Sequence, residues 1–84
     1  MNTNDARQAV RECIGKIRPD LDMVIVEDDT ALLEQRIITS FQVLDMILHL
    51  EHVSGHPIRR QQLQAGSFRD IATIARVFLQ DEPL

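Results

Sequence analysis

Apolar residues recur at steps of three and four along three separate stretches of this chain. Such spacing places them on one face of an α-helix. The chain has 84 residues with only three Gly and three Pro, so it has few places to turn, and this favours a few helices over many short strands. Aromatic residues make up only 4%, and aliphatic side chains must therefore fill the core.

The first stretch predicts a helix from about Asn4 to Ile17. Asn4 or Asp5 is expected to cap its start, and Pro19 prevents it from continuing. The charged side chains fall largely outside the apolar stripe, as in an amphipathic helix. The residues predicted to face the core are Ala6, Ala9, Val10, Cys13, Ile14 and Ile17.

The middle stretch predicts a second helix that begins near Ser40 and ends at Gly55. Thr39 followed three residues later by Gln42 is a capping-box pattern. Apolar residues cover two sides of this helix, so it either lies deep in a core or presents one side to a partner. One stripe is Val43, Met46, Ile47 and Leu50, the other is Phe41, Leu44 and Leu48, and Asp45, His49 and His52 form a polar strip between them.

The third stretch predicts a last helix that ends near Leu79, with Ser67 and Asp70 as a capping box. Its inner stripe consists of Phe68, Ile71, Ile74, Ala75 and Phe78. Before it, residues 58–64 are expected to form a short helical turn with Ile58 and Leu63 pointing inward. The tail, residues 81–84, is expected to fray.

A long connection, residues 18–38, joins the first two helices. Met23 to Val26 would suit a strand, but a lone strand has no pairing partner in so short a chain. An extended, partly buried loop is expected instead. One helical turn is expected after it, capped by Asp29 or Thr30, with Leu32 and Leu33 in the core.

Together these elements predict an all-α fold formed by a single domain over residues 1–84. The architecture expected is a small four-helix bundle with three longer helices and one short one.

The net charge of −4 makes nucleic acid an unexpected partner, because an acidic surface repels phosphate backbones. The residues 59–62, Arg-Arg-Gln-Gln, follow a turn and could form a DNA-recognition helix, but the acidic balance argues against this interpretation. No membrane partner is expected, since no apolar run approaches the length of a span. The N-terminus lacks the apolar stretch of a signal peptide, and a single cysteine fits a reducing compartment, so a cytoplasmic protein is expected.

No sequence pattern indicates a catalytic or metal site, and the protein is not expected to be an enzyme. His49 and His52 share a helix face with Asp45, but His56 lies beyond Gly55. These histidines are interpreted as solvated surface residues, because structural zinc sites usually show tighter ligand sets. Cys13 lies on an apolar stripe and is interpreted as a buried structural thiol.

The stretch TALLEQRIITSFQVLDMILHLE resembles the modification site of acyl and peptidyl carrier proteins. Ser40 matches the serine that opens the family's second helix, and Phe41 matches the large apolar residue after it. The segments 58–64 and 67–71 match the third and fourth helices, so the resemblance covers nearly the whole chain in order and spacing. The turn and apolar approach of the motif correspond to Leu32, Leu33, Glu34, Ile37 and Ile38.

The resemblance implies a free-standing carrier with a 4'-phosphopantetheine arm on Ser40, which holds an acyl or aminoacyl group as a thioester. The implied partners are a phosphopantetheinyl transferase, an acyl- or aminoacyl-loading ligase and downstream transferases of a biosynthetic pathway. Fatty acyl, polyketide, amino acid and D-alanyl cargoes all remain open. The implied partner-facing residues are Thr39, Phe41, Leu44, Asp45, Leu48, His49 and His52.

Two positions depart from the family pattern and keep a second hypothesis open. The family usually has Asp before the serine, where it helps to hold the magnesium used by the transferase, and this chain has Thr39. The family often has Gly two or three residues earlier, and this chain has Arg36. The alternative is a carrier-like module that is never modified and acts only in protein–protein interaction.

Overall fold

The structure is a computed structural model that describes residues 2–64 and 66–80, and its described residues form helices and turns without a strand. The helices are α1 (Thr3–Ile17), α2 (Ser40–Ser54) and α3 (Ile71–Ile74), and α3 continues directly as a π-helical segment, Ala75–Leu79. The predicted all-α fold is therefore confirmed. The short helix expected within 58–64 is present as one 3-10 turn, Arg60–Gln62, and the expectation for the tail 81–84 lies outside the described residues.

Helix α1 starts earlier than predicted. Asn2, and not Asn4 or Asp5, is the N-cap, because its side-chain oxygen accepts the N–H of Asp5 at 2.8 Å. Asp5 instead lies in the first turn, where its charge complements the helix dipole. The predicted inner face is confirmed at its centre, where the buried residues are Ala6, Val10, Cys13 and Ile14.

Helix α2 has the predicted ends. Thr39 and Gln42 form the capping box, with the Gln42 N–H donating to Thr39 Oγ1 at 3.3 Å and the Thr39 N–H donating to Gln42 Oε1 at 3.0 Å. Gly55 ends the helix with a φ of +80°, a left-handed conformation that side chains resist. Met46 and Leu50 are fully buried, which confirms the inner stripe.

The start of α3 differs from the prediction. Asp70 is the N-cap and accepts the N–H of Thr73 at 2.7 Å, whereas Ser67 lies in the preceding turn and accepts the N–H of Gln64. Both residues suit an N-cap, and the carboxylate forms the stronger, charge-assisted hydrogen bond. The predicted inner stripe is buried throughout, and it packs on α1 and α2 as part of the core.

The long connection is anchored at Leu32. Its side chain is fully buried, and its N–H donates to the carbonyl of Arg69 at 2.8 Å. Its carbonyl accepts the N–H of Ile37 at 2.8 Å and that of Ile38 at 3.3 Å. The expectation for Leu33 was wrong, since it is 40% exposed, and so was that for Leu63, which is 49% exposed.

Met23–Ile25 forms a 3-10 turn where an extended loop was expected. Asp22 accepts the N–H of Val24 at 3.0 Å and so caps the turn, while no neighbouring strand in the described residues offers sheet hydrogen bonds. Val26, directly after the turn, is buried, whereas Val24 and Ile25 are exposed.

Arginines of α1 and its end hold this connection. Arg11 donates to the carbonyl of Val26 at 2.7 Å and to the carboxylate of Asp28 at 2.8 Å, and Arg7 donates to the same carboxylate at 3.0 Å. Arg18, just after α1, donates to the carbonyl of Ile37 at 2.6 Å. Since the loop has little regular structure, these side chains satisfy backbone groups that a helix or sheet would otherwise satisfy.

Leu32→Ala is expected to lower the free energy of unfolding by about 2–5 kcal/mol, because it opens a cavity under the anchored loop. Leu33→Ala is the matched control, since the neighbouring side chain is 40% exposed, and its expected cost is below about 1 kcal/mol. Urea unfolding followed by circular dichroism measures both. Equal losses in the two variants would contradict the assignment of Leu32 as the anchor.

The α3 cap predicts a pH dependence. Burial alone raises the pKa of Asp70, but the hydrogen bonds from Thr73 and Arg69 outweigh it, so the pKa of this carboxyl lies below its ordinary value. The unfolded chain then binds the proton more readily than the folded one. The stability that ionised Asp70 contributes is therefore fully present above the pKa of the unfolded state, about 3.9, and is lost as the pH falls through the pKa of the folded state.

Asp70→Asn keeps an oxygen for the cap and removes the titration. Between neutral and acidic pH, the free energy of unfolding is expected to fall less steeply in this variant than in the parent protein. Parallel curves for the two proteins would show that Asp70 contributes nothing to acid sensitivity.

Candidate functional site

Ser40 is the first residue of α2 and is exposed. The first amide groups of a helix have no intrahelical acceptor, and here the capping box uses that of Gln42 and leaves those of Ser40 and Phe41 without one. The positive end of the helix dipole lies at the same place. The Ser40 hydroxyl is thus accessible at a point that favours an incoming anion.

The turn before α2 is fixed from both sides. Leu32 accepts two N–H groups from residues 37 and 38, and Arg18 donates to the Ile37 carbonyl. Arg36 has a φ of +58°, which is the left-handed region that favours glycine. The chain therefore enters the helix along a defined path, and the direction of Ser40 is set by contacts that lie outside α2.

A cavity of about 480 Å³ lies beside Ser40. It is bounded by the anchored turn, the first turn of α2 and the segment before α3. Apolar side chains form much of its wall, and polar ones come from Glu34, Gln64 and Arg69. The remaining lining residues are Ala31, Leu33, Val43, Gly66 and Phe68.

Phe68 is the aromatic part of this wall. Its ring packs against Phe78 with the centroids 5.0 Å apart, and only 8% of Phe68 is exposed. Such tilted aromatic pairs add to the stability gained by burial. The wall is consequently a supported surface, and the cavity does not depend on a free side chain to keep it open.

The outer face of α2 carries an exposed apolar row. Phe41 is 86% exposed, Leu44 is 61% exposed and Leu48 is 65% exposed. Of the other residues predicted to face a partner, Thr39, Asp45 and His52 are exposed and His49 is half-buried. All residues of the predicted set except His49 are therefore exposed, with Thr39 at the N-cap and the others along the outer face of α2.

The histidines do not assemble a metal centre. Within residues 2–64 and 66–80, no three His, Cys, Asp or Glu side chains are close enough to hold a metal ion. His56 lies beyond the end of α2, with Nδ1 at 3.2 Å from the carbonyl oxygen of Pro57. Cys13 is buried as predicted, and burial raises the pKa of its thiol, which favours the protonated form.

Sequence reasoning missed the cavity and the exposed turn. Gln64 and Arg69 reach the cavity from a segment far along the chain, and no local pattern marks such a contact. The exposure of Val24 and Ile25 was also unexpected, because four consecutive apolar residues normally indicate burial. Asp22, a helix-capping residue type directly before them, was the one available signal.

No family model, curated protein or solved structure matches the chain. In the part of the chain that the structure describes, no helix has both the length and the apolar character needed to cross a membrane.

The left-handed residue before the site gives a direct test. Arg36→Gly is expected to be at least as stable as the parent protein, because glycine adopts this conformation without steric cost. Arg36→Val is expected to lose about 1–2 kcal/mol, since a β-branched side chain resists it. Thermal unfolding of both variants measures the difference, and the opposite order of stability would contradict the φ of Arg36.

Proposed function

We propose that the protein is a cytoplasmic carrier that bears an acyl or aminoacyl group at Ser40 and is not itself an enzyme. The observation that supports this most is the joint presence of an exposed serine in the first turn of α2 and a partly apolar cavity beside it. The resemblance in sequence adds to this support, because it aligns the same serine with the modified residue of carrier proteins.

The residues at this point suit a phosphopantetheine arm. Ser40 offers an exposed hydroxyl for a phosphodiester, and the helix N-terminus stabilises the phosphate. The arm, when attached, supplies a thiol that holds the cargo as a thioester. The protein's own part is to present the hydroxyl, to bind the phosphate through the first amides of α2, and to shelter cargo in the cavity beside Ser40.

Two details of the helical fold also fit the carrier proposal. Carrier proteins have a short third helix, and here the turn Arg60–Gln62 occupies that place in the chain order. They often have Gly in the approach to the serine, and Arg36 adopts the left-handed conformation that a glycine would adopt. These features support the proposal that the fold is a small four-helix bundle of carrier-protein type.

The exposed row of α2 is the proposed contact for partner enzymes. These are a phosphopantetheinyl transferase, a loading ligase for the acyl or aminoacyl group, and the transferases that use the cargo. A carrier must dissociate from each partner enzyme after the cargo is transferred. A small exposed row of Phe41, Leu44 and Leu48 suits such weak, short-lived contacts. Only Asp45 adds a negative charge within this row, so the partners recognise a mainly apolar surface.

Thr39 supports a second candidate function, that of an unmodified interaction module. It caps α2 fully, so the fold does not need Asp at this position, yet it brings no negative charge for a transferase-bound magnesium. In that case the α2 row binds a partner and Ser40 only begins the helix.

Incubation with coenzyme A, magnesium and a broad-specificity phosphopantetheinyl transferase, followed by intact mass measurement, tests the proposal. One added phosphopantetheine is expected in the parent protein and none in Ser40→Ala. Ser54→Ala is the matched control, because it removes the same hydroxyl at the other end of α2 and is expected to be modified like the parent.

If the parent protein stays unmodified while a known carrier in the same reaction is modified, the assay is repeated with Thr39→Asp. Aspartate is an equally good cap, so the fold is expected to persist. Modification restored by this variant would indicate that the natural transferase differs from the one used. Continued failure would overturn the carrier function and favour the interaction module.

A further inference from the structure

A second exposed apolar feature lies far along the chain from the α2 row. Val24 is 88% exposed and Ile25 is 65% exposed, and both lie on the 3-10 turn Met23–Ile25. The residues on either side of this pair behave differently, since Met23 packs against the core and Val26 is buried in it. The chain therefore fixes two residues of the run inside and displays the other two, which we term the Val24–Ile25 tip.

The tip is held in place by hydrogen bonds on both sides. Asp22 accepts the N–H of Val24 at 3.0 Å, and the N–H of Val26 donates to the Met23 carbonyl at 3.1 Å. Arg11 then fixes the Val26 carbonyl at 2.7 Å. A partner that binds the tip meets side chains on an ordered backbone, so little conformational entropy is lost on binding.

The charges in the loop that carries the tip have one sign, and the positive charges of Arg7 and Arg11 beside it are paired with Asp28. Each ionisable residue from 20 to 29 is acidic. In the described part of the chain the ion pairs of this loop are Arg18 with Asp20 and two arginines with Asp28, which leaves Asp22, Glu27 and Asp29 outside any ion pair. The carboxylates of Glu27 and Asp29, together with that of Asp22, which also caps the turn, thus form a negative rim beside the apolar pair.

A groove of about 590 Å³ adjoins the tip. Val24 and Met23 lie on its wall, together with the acidic residues Glu27 and Asp29. The groove is bounded on the α1 side by Arg7 and Arg11, whose guanidinium groups are already bound to Asp28. A cationic side chain of a partner can therefore approach the free carboxylates beside the apolar pair.

We propose that the Val24–Ile25 tip is a docking surface for a protein whose contact patch is apolar and rimmed by Lys or Arg. Charge complementarity selects this occupant, because the acidic rim attracts such a patch and repels the anionic headgroups of a membrane. The surface lies on a different element from the α2 row and does not depend on modification of Ser40. It allows the protein to hold one partner while another contacts α2.

The test uses a defined probe, an amphipathic helical peptide with leucine on one face and lysine on its edges, titrated into nitrogen-15-labelled protein. Amide shifts are expected at residues 22–29, with weaker binding as salt is raised. A peptide with glutamate in place of lysine and one with serine in place of leucine are expected not to shift these residues.

Three variants locate the contact. The double variant Val24→Ser with Ile25→Ser is expected to bind the peptide at least about tenfold more weakly, as measured by the amide shifts at residues 22–29. The reason is that two aliphatic side chains are no longer there to be buried on binding. Glu27→Gln with Asp29→Asn is expected to remove most of the salt dependence. Leu44→Ser with Leu48→Ser, the matched control on α2, is expected to leave the affinity at the tip unchanged. Unaltered amide spectra elsewhere verify that each variant is folded.

Several outcomes would overturn the proposal. Absence of shifts at 22–29, or equal shifts with the glutamate peptide, would show that the rim selects no cationic partner. If the amide shifts at residues 22–29 grow with protein concentration in the absence of peptide, a second copy of the protein covers the tip. Binding of the tip to anionic lipid vesicles, measured by co-sedimentation, would assign it to a membrane surface.

Discussion

The backbone of Leu32 joins the long loop to the rest of the protein, because its N–H donates to the Arg69 carbonyl and its carbonyl accepts from Ile37 and Ile38. A loop of this length carries many polar groups that must find partners when it packs on a core. Here one buried leucine provides both the apolar contact and the hydrogen-bonding site. The turn before α2, the cavity wall and the direction of Ser40 depend on this connection together with the hydrogen bond from Arg18 to the Ile37 carbonyl.

Helix α2 is apolar on two sides, and the fold uses only one of them. Met46 and Leu50 are fully buried, whereas Phe41 and Leu48 are mostly exposed. Exposure of a row of this kind gains nothing for stability, since the hydrophobic effect rewards burial only. The presence of this row on a helix that also begins with an exposed serine is the observation on which the proposed partner-binding role rests.

The helices and much of the core could be predicted because their signals are local. Apolar spacing located Ile14, Met46 and Ile74 in the core, and the Thr39–Gln42 pair located the start of α2. The errors came where two residues offered the same chemistry, as with Asn2 against Asn4 for the cap of α1. Leu33 was misplaced because exposure in the loop depends on distant hydrogen bonds. The cavity beside Ser40 could not be predicted either, since its walls meet only in the folded chain.

The pairing of the first and last helices also governs when the protein can fold. Helix α1 packs against α3 and the π-helical segment, and Gln80 donates to Thr3 at 2.9 Å across nearly the full length of the chain. Contacts between residues so distant in sequence form late, because the loop they close must first lose its entropy. Helix α2 can cover part of the apolar face of α1 first, whereas the part that packs on α3 and the π-helical segment stays exposed to solvent until these residues fold back onto it.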